Sequence, residues 1–155
     1  MAQRFRATFT TRLGNTLITA LLRSGVRMGN MFLLTVPGRK SGQPRTTPVA
    51  LGERDGQRWL LSPYGEADWV RNLRAVGGGT LTRGRHNERF TATALTPVEA
   101  TPLLKDSVAS ASGFIRRHFA VAPGAPLADF ERIAPAHPVF ALQASPVGVG
   151  ATRTE

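Results

Sequence analysis

Five or six short strands joined mostly by hairpins, with few helices among them, predict a mainly β or α+β chain folded as a small antiparallel barrel rather than a parallel sheet. Asp55-Gly56 is a hairpin signal between two β-favouring runs. Phe90, Ala92 and Ala94 alternate with Arg89, Thr91 and Thr93, the period of a half-buried strand. The basic turn Gly38-Arg39-Lys40-Ser41-Gly42-Gln43-Pro44-Arg45 lies between two predicted strands, whereas nucleotide folds need a strand, a glycine-rich loop and then a helix.

The elements follow in chain order. Residues 11–27 carry Leu13, Leu17, Ile18, Leu21 and Leu22 on one helical face. This predicts an N-terminal amphipathic helix within an arm of residues 1–30, packed on the domain or touching membrane or substrate. Met31–Val36 is a short apolar strand. Thr46–Leu51 is a second, with Pro48 indicating an open edge or a bulge. Arg58–Ser62 is the third, ended by Pro63-Tyr64-Gly65. Glu66–Ala75 reads as a short helix with Trp69, Leu73 and Val76 along one face and Asn72 beside them, stopped by Gly77-Gly78-Gly79. Thr80–Arg85 and Glu88–Leu95 form a further hairpin with its turn near His86-Asn87. Pro97–Phe119 is predicted helical, with Thr96 and Glu99 as a capping box. Leu127–Ile133 is a short helix and Pro138–Leu142 the closing strand. The barrel domain thus spans 31–144, and 145–155 is a frayed tail.

The 155 residues suit one domain, and 41% hydrophobic against 19% charged residues is a globular balance. The chain has no cysteine, which excludes disulfides, thiolate metal sites and thiol nucleophiles. No signal architecture or spanning apolar run is present, so a cytoplasmic protein is expected, with the N-terminal helix open to peripheral contact at the inner membrane face. The net charge of +10 invites a polyanion. Yet the cations run from Arg4 to Arg153 without a nucleic-acid-binding signature. An anionic cofactor or membrane surface explains the charge at least as well.

Chemistry is sparsely supplied. His86, His118 and His137 have no metal-ligand spacing and read as surface or structural residues, so no metal is expected. No carboxylate pair stands out. In the basic turn, glycines allow close backbone approach, Ser41 offers a hydroxyl, and Arg39, Lys40 and Arg45 offer charge, a combination suited to phosphate. It lacks the glycine that precedes Lys-Ser in a Walker loop, and G-x-G-x-x-G is absent. Anion contacts without catalytic side chains point to a cofactor that carries the reaction.

The run Leu33-Leu34-Thr35-Val36-Pro37-Gly38-Arg39-Lys40-Ser41-Gly42-Gln43-Pro44-Arg45-Thr46-Thr47-Pro48 resembles a signature of the deazaflavin-dependent nitroreductase family. So does Ser62-Pro63-Tyr64-Gly65-Glu66-Ala67-Asp68-Trp69-Val70-Arg71-Asn72-Leu73. These proteins are split β-barrel oxidoreductases that use coenzyme F-420, an 8-hydroxy-5-deazaflavin with a phospholactyl-oligoglutamate tail. The resemblance implies that Lys40, Ser41 and Arg45 hold the tail's phosphate and carboxylates, with Arg39 and Gly42 shaping the turn. It implies that Pro48, Leu61, Ser62 and Pro63 line the ring, with Tyr64 and Gly65 at the rim and Trp69 and Asn72 projecting from the short helix. The implied reaction is hydride transfer from C5 of the reduced coenzyme to a quinone, enone or nitro compound, with Tyr64 or Ser62 or solvent giving the proton. A homodimer is a further implication.

Departures from the family pattern bear on the acceptor. The quinone- and nitroimidazole-reducing branch places a tyrosine where this chain has Ala50, and a lysine where it has Tyr64, its only tyrosine. Reduction of bicyclic nitroimidazoles is therefore not implied. Two alternatives remain at this stage: a barrel that binds fatty acid or sequesters the cofactor without turnover, and an FMN-binding split barrel.

Overall fold

A computed structural model describes residues 19–20, 30–111 and 113–145. Six strands pair antiparallel throughout: β1 (Met31–Pro37), β2 (Pro44–Arg54), β3 (Gln57–Leu61), β4 (Gly78–Arg83), β5 (His86–Ala94) and β6 (Val139–Ala144). They close into a barrel in the order β1-β2-β3-β6-β5-β4, so the hairpin-rich pattern does fold as a barrel. Helix α1 (Asp68–Val76) connects β3 to β4, and α2 (Pro97–Ser110), α3 (Gly113–Arg116), α4 (Leu127–Ile133) and a 3₁₀ turn at Ala134–Ala136 lie between β5 and β6. Apart from Thr19 and Ala20, which are helical, the expected N-terminal helix lies outside the described residues, as does the tail beyond Ser145. Among the described residues no helix is long and apolar enough to cross a membrane.

The alternating apolar residues of the strands fill the barrel. Leu34, Val36, Val49, Leu51, Leu60, Leu81, Phe90, Phe140 and Leu142 make one buried cluster, joined by Val70 and Leu73 of α1. Helix α1 therefore buries its apolar face in the barrel core while Arg71 and Arg74 stay exposed. It ends where Gly77 takes a left-handed φ of 80° and donates its N–H to the Leu73 carbonyl. On the outside of β3 and β6, Trp59 and Val139 pack against Ala100 and Leu103 of α2. Beyond them Leu104, Val108, Phe119, Phe130 and Ala134 form a satellite core.

Two local expectations shift. The second hairpin turns at Gly84-Arg85, with Arg83 opposite His86, and not near His86-Asn87. Gly84 has φ 62°, and glycine is favoured at the first central position of a two-residue hairpin turn. The helix expected over Pro97–Phe119 breaks at Ala111, which is extended. Ser110 turns its hydroxyl back onto the Asp106 and Ser107 carbonyls, a bond that weakens helix propagation. Arg116 then caps the α2 end by donating to the Val108 and Ala109 carbonyls. The capping box at the other end is as expected, Thr96 and Glu99 satisfying each other's backbone N–H.

Pro48 sits where its open-edge signal placed it. Strand β2 pairs with β1 over Pro44–Ala50 and with β3 only from Leu51 to Arg54. Among the described residues the first half of β2 thus has a strand neighbour on one side alone, and a residue without an N–H is accommodated there.

Candidate active site

The basic turn joins β1 to β2 as a tight loop. The Gly38 N–H donates to the Gln43 carbonyl (2.8 Å), and the Gly42 N–H to the Gly38 carbonyl (2.9 Å), with Gly42 at φ 70°. The absent side chain of Gly38 leaves a small cradle. A Cβ built there would lie 3.0 Å from Ser41 Oγ and 3.7 Å from Arg45 Nε. The hydroxyl and the guanidinium therefore converge over one backbone point. Ser41 Oγ accepts the Gln43 N–H at 3.2 Å, which leaves its own proton to donate outward. Lys40 and Arg45 are exposed, and neither has an acidic partner among the described residues. Two unneutralised cations and an O–H donor on a glycine-bared backbone fit a phosphate with neighbouring carboxylates. The donor set thus suits the tail of the coenzyme.

Arg39 plays a different part from its neighbours. Its N–H and its Nη1 both donate to Asn72 Oδ1, at 3.1 and 2.8 Å, and its Nη2 lies 3.8 Å from the exposed Asp68 carboxylate. Asn72 is 5% exposed. One buried amide oxygen thus pins the loop to α1 across 33 positions of sequence, which spacing alone could not reveal.

The chain leaving β3 carries the second group of candidate residues. Every polar group of the fully buried Ser62 is engaged. Its N–H donates to the Pro138 carbonyl (3.0 Å), its Oγ to the Gly65 carbonyl (2.6 Å), and its carbonyl faces His137 Nδ1 at 3.2 Å. Ser62 therefore holds the Pro63-Tyr64-Gly65 turn in shape, and giving up its proton would open that turn. Leu61, Pro63, Tyr64 and Gly65 are half-buried. Burial raises the pKa of Tyr64 above its ordinary 10.0, so its phenol stays protonated at neutral pH and can donate. Its ring meets that of His118 edge to face, centroids 4.6 Å apart at 77°. Trp69 is half-buried against Phe140, centroids 6.2 Å apart, so it closes the barrel core with part of its surface.

His137 and His118, read from sequence as structural or surface residues, both stand beside this turn. His137 is buried, its ring 4.6 Å from Phe119. The carbonyl opposite Nδ1 requires a proton on that nitrogen. Burial lowers the His137 pKa from its ordinary 6.5. Between the folded and unfolded values the unfolded chain binds more protons, so stability falls as pH drops below about 6.5 and is fully regained above it. The urea midpoint of the wild type is expected to decline between pH 7 and 5, and that of His137→Gln to change less over the same range. Parallel declines would assign the slope to other groups. Nothing in local spacing marks either histidine, since their partners in the turn, Tyr64 and Ser62, lie 54 and 75 positions away.

Comparison with known proteins bears on the fold and the family. No curated protein matches the chain. Solved structures share the fold at low identity. A domain-swapped dimer is 18% identical over 86% of this chain and 99% of its own, with a TM-score of 0.54. The structure of an F420-H2 dependent reductase is 19% identical over 74% of this chain and 94% of its own, at 0.52. A pyridoxamine 5′-phosphate oxidase-related FMN-binding protein from Nostoc punctiforme is 13% identical over 83% and 79%, at 0.51. The family model described as "F420H(2)-dependent quinone reductase" matches residues 5–121, three quarters of the sequence. The chain belongs to that family of oxidoreductases dependent on coenzyme F-420.

Proposed function

We propose that this protein reduces a quinone or a similarly electron-poor small molecule at a site formed by the basic loop, α1 and the Ser62–Gly65 turn. The observation that carries the reading is the cradle over Gly38, where Ser41 Oγ and Arg45 Nε converge next to Lys40, which has no acidic partner among the described residues. Bound there, the reduced coenzyme supplies a hydride from its deazaflavin C5. The chain's residues do the rest. Lys40, Ser41 and Arg45 hold the anionic tail, while Arg39 and Gly42 keep the loop in shape. Pro48, Leu61, Pro63 and Gly65 flank the ring with apolar surface that excludes water, and Trp69 and Asn72 support it from α1. Ser62 acts through the turn it fixes. Tyr64 stands at the rim with a protonated phenol, placed to give the acceptor its proton.

No side chain in this account acts as a nucleophile, which matches the scarcity of carboxylates and histidines with catalytic spacing. The reading keeps the homodimer that the family resemblance implies, and its support is the domain-swapped dimer among the folds this barrel shares. The test is anaerobic oxidation of reduced coenzyme F-420 by a naphthoquinone, with Tyr64→Phe in parallel. The expected result is turnover by the wild type and a lower kcat for the variant that is less marked at low pH. Absence of oxidation with any quinone, enone or nitro acceptor, despite coenzyme binding, would favour a binding module instead.

A further inference from the structure

The consecutive residues His118 and Phe119 grip the Ser62–Gly65 turn at two points. The His118 ring meets the Tyr64 side chain edge to face at 4.6 Å. The Phe119 ring lies 4.6 Å from His137, which in turn faces the Ser62 carbonyl at 3.2 Å. The segment that delivers them is fixed at its base. Arg116 donates to the Val108 and Ala109 carbonyls, and the N–H groups of His118 and Phe119 bond back to Ile115 and Arg116. Phe119 is buried at 6%, while His118 is exposed. Buried Phe119 thus anchors the segment, and exposed His118 touches the one aromatic side chain at the rim of the turn.

A tyrosine in a Pro-Tyr-Gly turn has several staggered side-chain rotamers open to it. An edge-to-face partner selects the one in which the rings meet. We propose that His118 is a positioning residue that holds the Tyr64 ring at the rim of the site. The Tyr64 ring so held is then the wall against which a flat, quinone-like acceptor packs. This rests on the reading that Tyr64 borders the acceptor side of a bound deazaflavin. A segment 54 positions downstream of the turn would then set which acceptors are held, separately from the loop that holds the coenzyme tail.

The test measures the dissociation constant of 1,4-naphthoquinone by fluorescence quenching, with the protein saturated in oxidised coenzyme F-420 so that no turnover occurs. His118→Ala is expected to raise that constant about threefold to tenfold, the range of a lost aromatic pair. His118→Phe, which keeps a ring, is expected to stay within about twofold of wild type. In a Tyr64→Ala background, His118→Ala should add nothing further, because the partner it positions is gone. His118 is exposed, so neither replacement empties the core. An unchanged constant in His118→Ala would overturn the proposal. So would an equal loss in His118→Phe, a full effect in the Tyr64→Ala background, or no naphthoquinone binding by coenzyme-loaded wild type. Failure of the wild type to bind the coenzyme at all appears before any variant is made, and counts against the proposed function instead.

Discussion

Replacing both Lys40 and Arg45 by alanine is expected to abolish tight binding of coenzyme F-420 while leaving the fold intact. Both side chains are exposed, and neither has an acidic partner among the described residues, so their removal costs the folded state little. Each would lose charge-assisted contacts to the tail, worth about tenfold to a hundredfold in affinity. The two sit on one short loop and share the same ligand, so the losses need not add. A deazaflavin lacking the phosphate and glutamates should bind wild type and double variant alike. The wild-type affinity for the full coenzyme should also weaken with salt more steeply than the variant's. Calorimetric titration of both ligands reads all three effects. Equal loss for the truncated ligand would show that the cradle holds something other than the tail.

Gly52→Ala is expected to give the largest loss of stability, roughly 3 to 4 kcal/mol. Gly52 lies opposite Trp59 on β3. A Cβ there would sit 2.1 Å from Trp59 Cε2 and 2.2 Å from Nε1. The indole has nowhere to go. It is 2% exposed, packed against Ala100, Leu103 and Val139, and its N–H donates to Ser107 Oγ at 2.7 Å. Displacing it breaks a hydrogen bond and loosens α2 from β3, whose last residue, Leu61, packs against the same cluster. An unfolding free energy lower by that amount in urea titration is the expected reading, and a loss below about 1 kcal/mol would mean that the strands part to make room.

What could be read in the sequence was local chemistry. The Asp55-Gly56 hairpin was legible because both central residues of its turn need positive φ, and they have 51° and 79°. The Thr96–Glu99 capping box was legible for the same reason, being complete within four residues. Pro48 announced an open edge through its missing N–H. The composition of the basic loop was the ground for expecting an anion there, and the two motifs in series pointed to the coenzyme on which the family depends. Errors arose where two local signals competed. Asn87 looked like a turn residue, but Gly84 took the turn. The apolar residues up to Phe119 looked like one helix, but Ser110 and the residues after it ended it. Long-range contacts were invisible. Nothing near Arg39 says that Asn72 will hold it, and Ser62 looked like a proton donor until the fold engaged its N–H, hydroxyl and carbonyl. His118 and His137 gained their places only when the chain returned to the turn after β3.

The central claim is that this barrel binds coenzyme F-420 with its tail on the Gly38–Arg45 loop and its ring beside Trp69. The most direct measurement is titration of the wild type and Trp69→Phe with oxidised coenzyme F-420 and, separately, with FMN, followed by tryptophan fluorescence. The account predicts saturable quenching by the deazaflavin, most of it lost in Trp69→Phe because the remaining Trp59 is buried beneath α2. Saturable quenching by FMN with no response to the deazaflavin would contradict it.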